Sequence, residues 1–376
     1  VEHPTARLLI DASSSQDRAA RDGTPSTVLL VSEMLQNALE LVRMGVHPSI
    51  IVKGYSIALK ESLEEVIRVS FEAEEEHKVE VVNTSLHGKG DLSLCSIISE
   101  IAIEAANGLV GEGEEVDLER FRVKRLQISQ GSVMDTSLVR GLMLLKSRVD
   151  VNSPPDSKGG KVAIIDGDLD KSKLQTSASI EVSNLGILQS FHDREMQVLR
   201  DQVDHLSSLG VDLLVTRGGI ADEAIPVLTD AGITAYRRFE KSDVDLLSII
   251  TNANPTRSVS SLKESDIGEY SRRSEESIAD VKHTLLEGEG MGMTLIVRGS
   301  TPNVREESVR IFDDAIGVAH RMSSSSGILP GGGAIQAHLA RHLRTFSKTH
   351  SGREQLAIEA YASACLLYTS PSPRDS

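Results

Sequence analysis

The sequence predicts a multidomain α/β + α protein in which an α/β segment interrupts a mainly helical one. Three observations carry this expectation. The first third holds apolar residues at helical spacing, with Pro and Gly marking the segment ends. After a Pro/Ser/Gly connector, VNSPPDSKGG (151–160), short apolar runs alternate with helical ones. The last part, from Thr301 onward, returns to helical patterns.

In the first segment, RDGTPST (21–27) leads into a long helix. Thr24 is read as its N-cap and Pro25 as N1, where a missing N–H leaves the helix intact. Leu29, Leu30, Met34, Leu35, Leu41 and Val42 follow at helical spacing, and Gly45 is the expected stop. HPSIIVKGYSIALKESLEEVIRVS restarts a helix at Pro48, and LSLCSIISEIAIEAANG forms another that stops near Gly108. The acidic run EAEEEHKVE (72–80) reads as a solvated helix end or loop.

Beyond the connector, KVAIID reads as a buried strand and SIEV as a short second one. HDREMQVLRDQVDHLSSLG is an amphipathic helix with Met196, Leu199, Val203 and Leu206 on one face. VDLLVT, ADEAIPVLTDAG, ITAYRRF and SDVDLLSIITNA then alternate strand and helix, which predicts a small α/β domain with parallel pairing. MTLIVRG is a further strand. TPNVREESVRIFDDAIGVAH is a helix capped at Thr301 with Pro302 at N1. A soft loop, RMSSSSGILPGGG, leads to a final helix pair, AIQAHLARHLRTF and REQLAIEAYASA.

Composition narrows the function classes. The 376 residues are 39% apolar but only 3% aromatic, with no Trp, so the cores rest on Leu, Ile, Val and Ala. A net charge of −15 repels polyanions and argues against a nucleic-acid partner. No run of about 18 apolar residues is seen, so no membrane partner is expected. Two cysteines, Cys95 and Cys365, cannot build a disulfide framework and suit a reducing, cytoplasmic compartment; Cys95 reads as a small buried apolar residue. The chain begins at Val1 inside a helix-like stretch, so an N-terminal part is expected to be missing. CLLYTSPSPRD (365–375) reverse-translates as a transposase sequencing adapter. Residues 365–376 are therefore read as an artefact, and the natural polypeptide as a fragment ending at Ala364.

Two loop-to-helix junctions could hold an anion, RDGTPST and PGGGA, because N–H groups at a helix start and glycines that permit close approach suit phosphate. Each alone is also an ordinary cap or turn. Asp313 and Asp314, paired in mid-helix, read by themselves as surface charges. His338 and His342 stand at i,i+4, but with no third ligand nearby a metal site is not expected there.

Together the pieces resemble one family. EHPTARLLIDASSSQDRAARDGTPSTVLL is similar to the segment of group II chaperonins, the thermosome and its eukaryotic cytosolic relatives, that carries a Gly-Asp-Gly-Thr-Thr-Thr phosphate loop. GVHPSIIVKGY resembles the helix start that follows it. LIVRGSTPNVREESVRIFDDAIGVAH resembles the strand and helix returning from the apical domain, and ILPGGGAIQAHLARHLR with GREQLAIEAYASA resembles the second nucleotide-contacting stretch.

The resemblance implies a subunit of an ATP-driven, two-ring folding machine that encloses non-native client proteins. It implies an incomplete, mainly helical equatorial domain (1–73 and 331–364), a small intermediate domain (74–141 and 294–330) and an inserted α/β apical domain (142–293). A helical protrusion over about 168–209 would serve as a built-in lid. Asp22 would help hold Mg²⁺ beside ATP, and Gly23, Thr24 and Ser26 would wrap the phosphates. Asp314 would orient the attacking water, and Gly332 and Gly333 would lie against the nucleoside. Ile187, Leu188 and Phe191 either contact clients or pack the protrusion helix.

This chain departs from the family pattern at two positions. Arg21 stands at the loop's first glycine and Pro25 at its second threonine, so one N–H and one hydroxyl facing the phosphates are lost. Arg21 could offset that loss or compete with Mg²⁺ for Asp22. Weakened nucleotide handling is therefore expected, and the alternative role is a nucleotide-poor structural or holding subunit of a hetero-oligomeric ring. ATP hydrolysis is expected of the full-length protein, and little of the fragment.

Overall fold

The structure is a computed structural model that describes residues 3–109, 123–170, 185–324 and 327–366. In chain order, the first elements are α1 (Pro4–Ala20), α2 (Thr24–Arg43), α3 (Pro48–Val69), β1 (Phe71–Glu72), α4 (Glu75–Leu86) and α5 (Leu92–Leu109). Next come β2 (Val123–Ile128), β3 (Ser137–Arg140), β4 (Leu142–Leu144), β5 (Gly160–Ile165) and α6 (Leu185–Ser208). They are followed by β6 (Leu213–Thr216), α7 (Ala224–Asp230), β7 (Thr234–Tyr236), α8 (Lys241–Thr251), β8 (Gly268–Tyr270), β9 (Arg272–Ile278), β10 (Val281–Glu287) and β11 (Met293–Arg298). The chain closes with α9 (Pro302–Ser324), β12 (Gly327–Ile328), α10 (Ala334–Ser347) and α11 (Arg353–Cys365). It divides into two compact units, Val1–Ile103 with Ile311–Ser376, and Glu104–Arg310.

The first unit is helical. α3 starts at Pro48, and its cap is His47, whose Nδ1 accepts from Ser49 N at 3.2 Å. Its buried face is Ile51, Gly54, Ala58, Ser62 and Glu65, a three-and-four spacing that lays one stripe against α11. Ala58, Ala340, Leu343, Ile358 and Tyr361 share one core cluster, and Leu41, Val46, Ile51 and Ala357 form another. Small residues bring the helices close, as expected of a chain poor in rings. Asn37 Nδ2 donates to Ala360 O at 3.1 Å and so pins α2 to α11.

The second unit holds the α/β layers. Its four-stranded sheet has the order β7-β6-β5-β8. The β5–β6 and β6–β7 pairs are parallel, as the alternation of strand and helix predicts, and β8, a strand not expected from the sequence, runs antiparallel to β5. Alternate residues enter opposite cores. Val162, Ile164, Leu213 and Val215 pack with Val244, Leu247 and Ile250 of α8. Ala163, Ile165 and Leu214 pack with Leu199, Val203 and Leu206 of α6. A sheet covered on both faces explains why its strands read as continuous apolar runs. Two three-stranded sheets, β4-β10-β9 and β2-β11-β3, complete this unit.

Several sequence expectations need correction. Thr24 is not the cap of α2; Gly23 is, at φ 77°, and Thr24 and Pro25 are the first two helical residues. Only glycine takes that left-handed turn without strain, so the cap is a backbone device rather than a hydroxyl. The run at 72–80 does hold a helix end, as expected: α4 begins at Glu75 behind Glu74, whose N–H donates to His77 Nδ1 at 3.1 Å. The soft loop is shorter than expected, because α9 continues to Ser324 and β12 pairs with β1. Helix α5 is long and apolar enough to cross a membrane by length and composition, with a mean hydropathy of 1.3 over 18 residues. Its side chains Cys95, Ile98, Ala102, Ala105, Ala106 and Leu109 are nevertheless buried in the protein. The expected SIEV strand lies outside the described residues.

Candidate active site

Asp22 sits in the turn between α1 and α2. Arg21 ends α1 in a left-handed conformation (φ 54°, ψ 13°), and Gly23 follows with φ 77°, so two consecutive reversals expose the Asp22 side chain between two helix ends. Gln16 Nε2 donates to Asp22 O at 3.0 Å and fastens the turn to α1. Thr27 donates to Gly23 O through both its N–H and its Oγ1, each at 3.0 Å. The first N–H groups of α2 have no i−4 carbonyl within the helix, and Pro25, the second residue, carries no N–H at all.

Asp314 comes from the middle of α9. It reads in sequence as a solvated charge, yet its side chain is only 23% exposed and accepts from Lys89 Nζ at 3.0 Å. The same ammonium stands 3.6 Å from Asp22 Oδ1. Two carboxylates 292 positions apart in the chain therefore converge on one cation. Sequence reasoning picked both carboxylates and missed Lys89. Its signal was the Gly-Lys-Gly of LHGKGD (86–91), a lysine between two glycines in the α4–α5 connection. Gly88 takes φ 80° there, and Lys89 N donates to Leu86 O, so the turn aims the side chain.

Gly332 (φ 66°) and Gly333 (φ 78°) open α10 as Gly23 opens α2. A Cβ on Gly332 would meet nothing within 4 Å, so glycine there answers to backbone conformation rather than to a crowding neighbour. Among the described residues, no hydrogen bond or ion pair joins Gly332 or Gly333 to Asp22 or Asp314. The side chains of Ile187, Leu188 and Phe191 lie outside the described residues, although their backbone belongs to α6.

His338 and His342 are engaged with carboxylates. His338 Nε2 is 2.7 Å from Glu65 Oε1 and His342 Nε2 is 2.7 Å from Glu61 Oε1. Among the described residues, no group of three or more His, Cys, Asp or Glu side chains is arranged to hold a metal by itself. Cys95 is buried, and burial pushes its thiol pKa up, as for an inert apolar residue.

Comparison with known proteins identifies the family. The profile of the TCP-1/cpn60 chaperonin family matches residues 1–369. A thermosome subunit of Methanothermococcus thermolithotrophicus is 33% identical over 369 residues, covering 97% of this chain and 68% of that protein. Thermosome subunit beta of Thermococcus kodakarensis is 34% identical over 373 residues, covering 97% and 68%. Among solved structures, the open-state monomer of a group II chaperonin from Methanococcoides burtonii matches in fold with a TM-score of 0.71. The identity is 24%, covering 92% of this chain and 81% of that one. On these matches, this chain belongs to the TCP-1/cpn60 chaperonin family.

Proposed function

We propose that the chain serves as a subunit of an ATP-dependent, double-ring group II chaperonin in the cytoplasm, with Mg·ATP hydrolysis driving closure of a built-in lid over non-native clients. The observation that carries this reading is the convergence of Asp22 and Asp314 on the Lys89 ammonium. The cluster suits the nucleotide and its metal on chemical grounds. A cation already lies between the two carboxylates, and hard carboxylate oxygens suit Mg²⁺, which keeps waters and phosphate oxygens in its remaining positions. The bound Mg²⁺ would supply charge neutralisation along the phosphates.

The residues of the chain supply the rest. Asp22 would hold the metal, and the N–H groups of Gly23, Thr24 and Ser26 with the hydroxyls of Thr24 and Ser26 would donate to phosphate oxygens at the start of α2. Asp314 would orient the attacking water, and Lys89 would exchange a carboxylate for a phosphate oxygen, which links phosphate binding to release of Asp314. Gly332 and Gly333 would face the nucleoside. In this reading, residues 1–73 and 331–364 are equatorial, 74–141 and 294–330 intermediate, and 142–293 apical, with Ile187, Leu188 and Phe191 offered to clients.

A second reading, a nucleotide-poor structural or holding subunit, is favoured by Pro25, which removes a donor from the phosphate side of α2. Hydrolysis of Mg·ATP by the protein beside its Asp314→Ala variant separates the two. Turnover lost in the variant supports the ATPase; an assembled ring that binds clients without turnover supports the structural subunit.

A further inference from the structure

Arg21 holds a left-handed conformation (φ 54°) that is unfavourable for a residue with a Cβ. Such a conformation persists only where surroundings enforce it. Arg21 caps the end of α1, its N–H donating to Asp17 O at 2.8 Å, and a second contact lies across from it on α9. A Cβ built on Gly317 would come within 2.8 Å of Arg21 Cβ and closer still to Arg21 Cγ. The aliphatic stem of Arg21 thus fills the space that a side chain at 317 would occupy. Gly317 is the sole glycine of α9, so no other turn of that helix offers an equivalent hole.

The spacing gives the contact a purpose. Gly317 lies three residues beyond Asp314, about 4.5 Å along the helix axis. Arg21 and Asp22 are consecutive, about 3.8 Å apart at Cα. Two adjacent turn residues therefore meet α9 at two points almost one turn apart: Arg21 at Gly317, and Asp22 through Lys89 at Asp314. The Lys89 bridge is polar and exchangeable. The Arg21 seat is steric, and a slide of α9 by one turn would set Arg21 against the side chain of Asp313, Asp314, His320 or Arg321.

We propose that Arg21 is a positioning residue, a knob that fits the Gly317 hole and sets the axial register of α9, so that Asp314 stands over the turn bearing Asp22. Its functional side rests on the ATPase reading above; its steric side does not. The seat makes Arg21 at the loop's first position a replacement device rather than a lost glycine.

The test is a double-mutant cycle with Arg21→Gly and Gly317→Ala, read first by thermal unfolding and then by Mg·ATP turnover. Gly317→Ala alone is expected to lower Tm, because its Cβ collides with Arg21 near the backbone. In the Arg21→Gly background the same change is expected to raise Tm, because alanine is the better helix former once the hole is empty. In turnover, Arg21→Gly is expected to lower kcat about tenfold with KM within about threefold, the signature of misplaced Asp314 rather than weakened binding. Arg21→Lys, which keeps the aliphatic stem, is expected to restore most of kcat. Additive Tm shifts would overturn the seat. Coupled Tm shifts with unchanged kcat would overturn the positioning role. Coupled shifts with no turnover in any form, the parent included, would keep the seat and overturn the ATPase reading.

Discussion

Lys89 places its ammonium 3.0 Å from Asp314 Oδ2 while standing 3.6 Å from Asp22 Oδ1. With Lys89 and Asp314 less than a third exposed, this contact is less screened than an ordinary surface pair. Replacing Lys89 by Met leaves two converging carboxylates without their shared cation. The variant should be less stable than the parent in metal-free buffer, by on the order of 1–3 kcal/mol. It should also gain more stability from added Mg²⁺ alone, since binding to the native state raises Tm by mass action. Melts with and without millimolar Mg²⁺ check this; equal Mg²⁺ shifts in both proteins would dismiss it.

Pro25 is the second residue of α2, where its ring suits the helix and its missing N–H removes a donor from the end that the proposed reading turns toward the phosphates. Pro25→Thr restores one N–H and one hydroxyl. Mg·ATP affinity should tighten about tenfold or more, the scale of a hydrogen bond to a charged group. Titration calorimetry reads the change, and an unaltered Kd would show that this position does not face the nucleotide.

Glu65 joins α3 to α10 through His338 at 2.7 Å, with Arg68 at 2.5 Å and His342 Nδ1 at 3.8 Å also beside it. The hydrogen bond to His338, aided by the charges of His342 and Arg68, holds its carboxyl pKa below the ordinary glutamate value, against the opposing effect of burial. A carboxylate with a depressed folded-state pKa contributes stability that is fully present above the unfolded-state value. That contribution is lost as pH falls through the folded-state value. Glu65→Gln should therefore cost stability near neutral pH and converge on the parent in acid. Melts from pH 7 down to about pH 3 read the gap; a gap that stayed constant would refute the assignment.

Gly54 sits inside α3, where glycine is a weak helix former. A Cβ there would overlap Ala357 Cβ and come within 3.2 Å of Glu354 O on α11. Gly54→Ala should thus destabilise despite its better helix propensity, by about 1–3 kcal/mol as α3 and α11 are forced apart. A denaturant titration checks the sign; a more stable variant would mean that the helices separate freely.

The legible part of the fold followed local physics. Pro48, Pro302 and the hydroxyl of Thr301 marked helix starts correctly, and Val304 N indeed approaches Thr301 Oγ1 at 3.4 Å. The continuous apolar runs KVAIID and VDLLVT became paired strands because both faces of that sheet are covered. The errors were also local. Thr24 lost the cap to Gly23 because a left-handed backbone leaves no trace in residue type beyond the glycine itself.

The sequence by itself determined the helical and α/β segments and the family resemblance, and through that resemblance pointed to Asp22 and Asp314 as candidates, because these rest on periodicity and on motifs read along the chain. The tertiary structure alone decided that Lys89 joins those carboxylates, that Arg21 fills the hole at Gly317, and that His338 and His342 answer Glu65 and Glu61. The physical reason is that an ion pair and a steric fit depend on separations of a few ångströms. Residues hundreds of positions apart reach such separations only after α1, α3, α9 and α10 have packed.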